Sequence, residues 1–186
     1  MGAVRPPKKA VLFAGLLSSD EDLLRRTVHV LKKSFGPVLA TSGLWPFDET
    51  DYYEAEMGAD LQRQFVAFQE TIDPGRLPEI KRQTNAIEAR IAQDCALPEG
   101  FRPVNIDPGY VTLSKMVLAT TKDYSHRLYL GQGIYAEVTL HFESQAWRPW
   151  PWTYPDYASG RYNEFFFALR EELKGRLSAP SDDDVA

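Results

Sequence analysis

Gly131-Gln132-Gly133 links two stretches, residues 127–130 and 134–142, in which apolar and polar side chains alternate. Two β-type runs joined by a short glycine-rich link are a hairpin signal. If Leu130 pairs with Ile134, then Tyr129 lies opposite Tyr135, Leu128 opposite Ala136, and Arg127 opposite Glu137. Strand side chains point to alternate faces. One face then carries Leu128, Leu130, Ile134, Ala136, Val138, Leu140 and Phe142, and the other carries Arg127, Tyr129, Tyr135, Glu137, Thr139 and His141. A second turn at Lys122-Asp123-Tyr124 folds residues 112–121 back onto 127–130, with Met116 and Leu118 on the apolar face and Lys115 and Val117 on the polar one. The expected unit is a three-stranded β-meander in the C-terminal half of the chain. Its continuous apolar side fixes the register, because a one-residue slip exchanges the faces.

The segments before the meander alternate strand and helix. Residues 9–17 are an apolar run of strand length. Ser18 offers an N-cap with Glu21 three positions on, and Leu23, Leu24, Val28, Leu31 and Phe35 follow at helical spacing up to Gly36-Pro37. Residues 38–45 and 61–72 read as strands. Residues 77–92 read as a helix with Leu77, Ile80, Thr84, Ile87 and Ile91 along one stripe. The order β-α-β-β-α leading into a further strand is that of a split βαβ, ferredoxin-like unit. An amphipathic helix over 159–177 closes the fold. The predicted class is α+β, a largely antiparallel sheet with about three helices, in a single domain over residues 1–177. Residues 178–186, small and acidic, are expected to be a disordered tail.

With 186 residues the chain can bury one substantial core. A net charge of -5 without a basic stripe gives no electrostatic case for nucleic acid. Cys95 is the one cysteine, so no intramolecular disulfide can form, as expected in a reducing cytoplasm. Arg5, Lys8 and Lys9 precede an apolar run, but Ser18-Ser19-Asp20 follows at once without a small-residue cleavage pattern, and no apolar stretch is long enough for a bilayer. A cytoplasmic protein is expected.

Candidate chemistry concentrates on the polar face of the meander. Lys115, Lys122 and Arg127 are donors suited to a phosphate or carboxylate, with Tyr129 and Tyr135 to orient a ligand. Glu137 and His126 are the candidate general acid and base. His126 falls on the apolar side in this register, where a structural histidine is the competing reading. A solvated face with an Arg127–Glu137 pair competes with the ligand floor as a whole. Asp48, Asp51 and Glu54 lie in an acidic stretch able to offer oxygen ligands to a divalent cation, though without EF-hand spacing. Residues 147–157, WRPWPWTYPDY, are either a packed lid or an aromatic docking segment.

The blocks GLLSSDEDLL, PFDETDYYEAEMG, IDPGY, LSKMVLATTKDYSHRLYLGQGIYAEVTL and PWTYPDY together resemble domain-of-unknown-function family 4416, a prokaryotic family. The resemblance covers nearly the whole chain and implies a compact single-domain protein, but it supplies no functional residues. The sequence lacks G-x-x-x-x-G-K-[ST], and Thr121-Lys122-Asp123 lacks the intervening residue of [NT]-K-x-D, so it is no P-loop GTPase. The expected function is binding of, or action on, a small anionic ligand, phosphate- or nucleotide-like. The alternative is a protein-interaction module using residues 147–157. No cofactor is specified.

Overall fold

The structure, a computed structural model, describes residues 2–50, 53–96 and 100–178. The acidic tail beyond Ser178 therefore lies outside the described residues. At the centre is strand β1 (Ala10–Ser18), buried along its whole length. Its apolar run has no polar alternation because both faces of the sheet are covered, which is what such a run requires. Helix α1 (Glu21–Phe35), strands β2 (Val38–Thr41) and β3 (Trp45–Pro46) and the single-turn helix α2 (Glu54–Met57) follow. Next come β4 (Gln62–Ile72), helix α3 (Leu77–Asp94), β5 (Asn105–Val111), β6 (Lys115–Thr120), β7 (Leu128–Gly131), β8 (Ile134–Glu143) and β9 (Ala146–Pro149). The short α4 (Pro155–Ala158) and the long α5 (Asn163–Ser178) complete the chain.

These strands form one antiparallel sheet in the order β2-β4-β1-β5-β6-β8-β7, with β3 on β4 and β9 on β8. Its first half, β2-β4-β1-β5, is the split βαβ arrangement: α1 joins β1 to β2 around β4, and α3 joins β4 to β5 around β1. Both helices cover the same face, where Leu23, Leu24 and Leu31 of α1 meet Leu12, Leu16, Val66 and Phe68, and Ile80 and Ile91 of α3 join them. The other face is covered by α5 through Phe166, Leu169 and Leu173, packed on Phe13, Phe65, Val111 and Met116.

The first helix starts two residues later than its sequence suggests. Asp20 is the N-cap, its Oδ1 accepting the Leu23 N–H at 3.0 Å. Ser18 is instead the buried last residue of β1, and its hydroxyl donates to the Pro103 carbonyl at 2.6 Å.

The second half of the sheet differs from a meander. The β7–β8 hairpin is present, with Tyr129 opposite Tyr135 and Leu128 opposite Ala136. Gly131 rather than Leu130 pairs with Ile134, because Gln132 and Gly133 both take positive φ, 57° and 76°, as a two-residue turn of this hand requires. Strand β6, however, pairs with β8 and not with β7. The ten residues of β8 leave one edge for β6 and divide the other between β7 and β9. The single apolar face is also overturned. The β6–β8 register shifts between Met116 and Val117, skipping Thr139. Ile134, Ala136 and Val138 consequently pack with Val117 and Ala119 near Leu77 of α3, whereas Leu140 and Phe142 pack with Met116 and Leu118 on the α5 side. Leu128 and Leu130 are exposed on the edge strand.

Gly109 marks the tightest crossing in the sheet. A Cβ there would overlap the Val117 carbonyl oxygen and lie 2.6 Å from Phe13 Cζ. Gly109→Ala is expected to cost about 1–3 kcal/mol, seen as a lower denaturant midpoint at unchanged slope.

Candidate functional site

Strand β5 pairs with β6 only over Gly109–Val111, while its β1 ladder runs back to Asn105. Pro108 precedes the paired stretch and has no N–H to extend a ladder. The β6 side of Asn105–Asp107 is therefore open, and a cavity of about 910 Å³ lies beside it. Helix α3 supplies what a strand would have given. The Glu88 carboxylate accepts the Ile106 N–H, and Lys81 Nζ donates to the Ile106 carbonyl at 3.0 Å. Lys81 also reaches Asp107 Oδ1 at 3.3 Å, and Asn105 Nδ2 donates to Asp107 Oδ2 at 2.6 Å. Burial works against the Asp107 charge, but Lys81 and Arg63 outweigh it and hold its pKa below the ordinary value. Burial pushes Glu88 the other way, up to about 7, with Lys81 only partly opposing.

Arg63 of β4 lies on the same cavity wall and is 3% exposed. Its Nη2 is 3.6 Å from Asp156 Oδ2 and its Nη1 is 3.9 Å from Asp107 Oδ2. These are ion-pair distances beyond hydrogen-bond reach. Nε and Nη1 have no hydrogen-bond partner among the described residues, and neither does the buried Tyr157 hydroxyl. Burial disfavours the Arg63 charge, yet its pKa is raised, with the Asp156 and Asp107 carboxylates among the groups that favour the charged form. Burial likewise raises the Tyr157 pKa, so its hydroxyl keeps its proton.

At the opposite wall, Arg127 is fully engaged. Its Nε donates to Glu137 Oε2 at 2.9 Å, Nη1 to the Lys122 carbonyl at 3.0 Å, and Nη2 to the Tyr154 hydroxyl at 2.6 Å. The Arg127–Glu137 pair is enclosed rather than solvated, the side chains being 7% and 2% exposed. Glu137 Oε1 accepts from Thr139 at 3.2 Å. His126 does not face the apolar side: its Nε2 is 3.2 Å from Glu137 Oε2, and its ring stacks on Trp152 at 5.4 Å.

Of the residues singled out in the sequence, Lys122, Arg127 and Glu137 line the cavity and His126 backs Glu137. Lys115 opens β6 at its far end, opposite His141, and is exposed. Tyr129 and Tyr135 pair with each other at 5.1 Å on the edge hairpin, away from the cavity. Asp48 faces Arg161 at 3.4 Å, Glu54 is exposed on α2, and Asp51 lies outside the described residues. No cluster of three or more His, Cys, Asp or Glu side chains placed to hold a metal ion is present among the described residues. In the aromatic segment, Trp147 and Tyr157 are buried, while Trp150 and Trp152 stack on each other at 5.3 Å and remain partly exposed.

Sequence reading missed Arg63, Lys81, Asn85 and Glu88. Two signals were there. Arg63 shares the inward parity of Leu61, Phe65 and Ala67, so it is a charge at a core position. Lys81, Asn85 and Glu88 stand at helical spacing along one line of α3, beside its apolar stripe.

The family described as a domain of unknown function, DUF4416, matches residues 8–173. The chain belongs to that family. No curated protein and no solved structure matches it. The DUF4416 match runs from two residues before β1 well into α5, so it takes in the whole sheet and both cavity walls. No helix among the described residues is long and apolar enough to cross a membrane.

Proposed function

We propose that this protein binds a small anionic molecule, phosphate- or nucleotide-like, in the cavity beside β5, with Arg63 as its anchor. The observation that carries the reading is the buried Arg63 guanidinium at the cavity wall, whose Nε and Nη1 have no hydrogen-bond partner among the described residues. A buried donor without an acceptor costs about 1–3 kcal/mol, and an anion's oxygens supply acceptors that these N–H groups otherwise lack. Lys122 adds positive charge at the rim. Arg127, with all three nitrogens committed, shapes the wall, and Glu137 is better read as the group that positions Arg127 than as a catalytic acid. The volume of about 910 Å³ falls in the roughly 300–1,000 Å³ range of small-molecule sites. A cytoplasmic setting accords with the lone Cys95, which has no second cysteine to pair with.

Inorganic phosphate is the simplest probe. At a hundredfold excess over Kd it is expected to stabilise the fold by about 2.7 kcal/mol, read as a raised thermal midpoint. The gain should vanish in Arg63→Met and shrink in Lys122→Ala. A gain that both variants retain places the anion elsewhere and sinks the site.

A further inference from the structure

An inorganic anion leaves most of this cavity unfilled. About 910 Å³ is some thirty times the roughly 30 Å³ share of one water molecule. What lines the remainder is specific. On the α3–β5 wall stand Asn85, Glu88 and Asn105. The Asn85 amide, half-buried one helical turn from both Lys81 and Glu88, makes no side-chain hydrogen bond among the described residues. Glu88 commits one oxygen to the Ile106 N–H and keeps the other. Amides and carboxyls of this kind offer donors and acceptors side by side, as a hydroxyl needs. Two of the rings on the cavity wall, Phe47 and Tyr53, are tilted at 59° to each other and not parallel.

The anion end is equally specific. Arg63 Nη1 and the Tyr157 hydroxyl approach one buried spot, lying 3.3 and 3.4 Å from where a Gly15 Cβ would be, a spot also closed by Phe65 Cε1 at 3.1 Å. Together with Arg63 Nε they make three donors without a hydrogen-bond partner among the described residues. A phosphoryl group has three terminal oxygens to meet them, and a carboxylate has two.

The geometry points to a hydroxylated phosphate ester of the sugar-phosphate class, its phosphoryl group against Arg63 and Tyr157 and its hydroxyls against Asn85 and Glu88. This assignment rests on the anion-binding reading of the same cavity and goes beyond it by naming the ester's other half.

Calorimetric titration of the full chain with inorganic phosphate, ribose, ribose 5-phosphate and adenosine 5′-monophosphate tests it. Ribose 5-phosphate is expected to bind at least about tenfold more tightly than phosphate, since a few net hydrogen bonds suffice for that factor. Asn85→Ala, which places a strong helix former on α3 and so keeps the fold, should remove most of that factor while leaving phosphate affinity unchanged. If ribose 5-phosphate binds no better than phosphate, the sugar-phosphate assignment falls and the anion site stands. If adenosine 5′-monophosphate binds tenfold more tightly than ribose 5-phosphate, a base is being read and the assignment is overturned in favour of a nucleotide. If no phosphate compound binds, both readings fall together.

Discussion

Arg127→Ala is expected to lower stability by about 3–5 kcal/mol, because it strands the carboxylate of Glu137 inside the protein. Glu137 is 2% exposed at its side chain, and two of its neighbours, Thr139 and His126, are held by the same group. The substitution also frees the Lys122 carbonyl and the Tyr154 hydroxyl from their Arg127 contacts. Chemical denaturation of wild type, Arg127→Ala, Glu137→Ala and the double variant measures the effect as a cycle. The double variant should cost clearly less than the sum of the singles, since removing both charges leaves neither unpaired. Single losses below about 1 kcal/mol that weaken in salt are the mark of a solvated surface pair, and that outcome would falsify the enclosed arrangement.

Glu88→Gln is expected to act in the opposite direction, and increasingly as pH rises from about 4.5 to about 7. The folded-state pKa of Glu88 is raised to about 7 from an ordinary value of 4.5. The folded protein therefore holds a proton that the unfolded chain has already released. The stability linked to that proton is fully present below about pH 4.5, and is lost as pH rises through about 7. Across 2.5 pKa units the loss amounts to about 3 kcal/mol, at 1.36 kcal/mol per unit. Glutamine cannot ionise but keeps an oxygen to accept the Ile106 N–H. The variant should match wild type near pH 4, exceed it by up to about 3 kcal/mol at pH 8, and flatten the decline between. A wild-type profile with no decline between pH 5 and 8 would remove the basis for this expectation. Asp107, with its pKa depressed, works the other way: its contribution is present above about pH 4 and lost on acidification.

Much of the architecture was legible in local pattern. The apolar run of β1, the helical stripes of α1 and α3, and the alternation flanking Gly131-Gln132-Gly133 each report a period that the backbone imposes. The Arg127–Glu137 pair followed from the hairpin alone. Its enclosure did not, because that depends on Tyr154 and the α4 segment arriving from later in the chain. The choice of β8 rather than β7 as the neighbour of β6 is likewise non-local: both candidate partners carry the same alternation. The skipped Thr139 leaves no mark in composition, yet it sends Leu140 and Phe142 to the opposite face from Ile134 and Ala136. Arg63 shows the same limit from the functional side. Its inward parity is visible in the sequence, whereas the lack of a hydrogen-bond partner at Nε and Nη1 among the described residues emerges only from the places that Asp107, Asp156 and Tyr157 take in space.

The three residue pairs joining β5 to β6 divide the sheet into two plates along a short seam. One plate, β2-β4-β1-β5, is backed by α1 and α3 and carries Arg63 and Asp107. The other, β6-β8-β7, carries Glu137 and, through it, Arg127. The cavity occupies the angle where the plates part. Its width is thus governed by the twist across the seam, with the crowded contact of Gly109 on Val117 and Phe13 at the vertex. Changing side chains at the vertex would alter the cavity's width while leaving Arg63, Asp107 and Glu137 on its walls untouched.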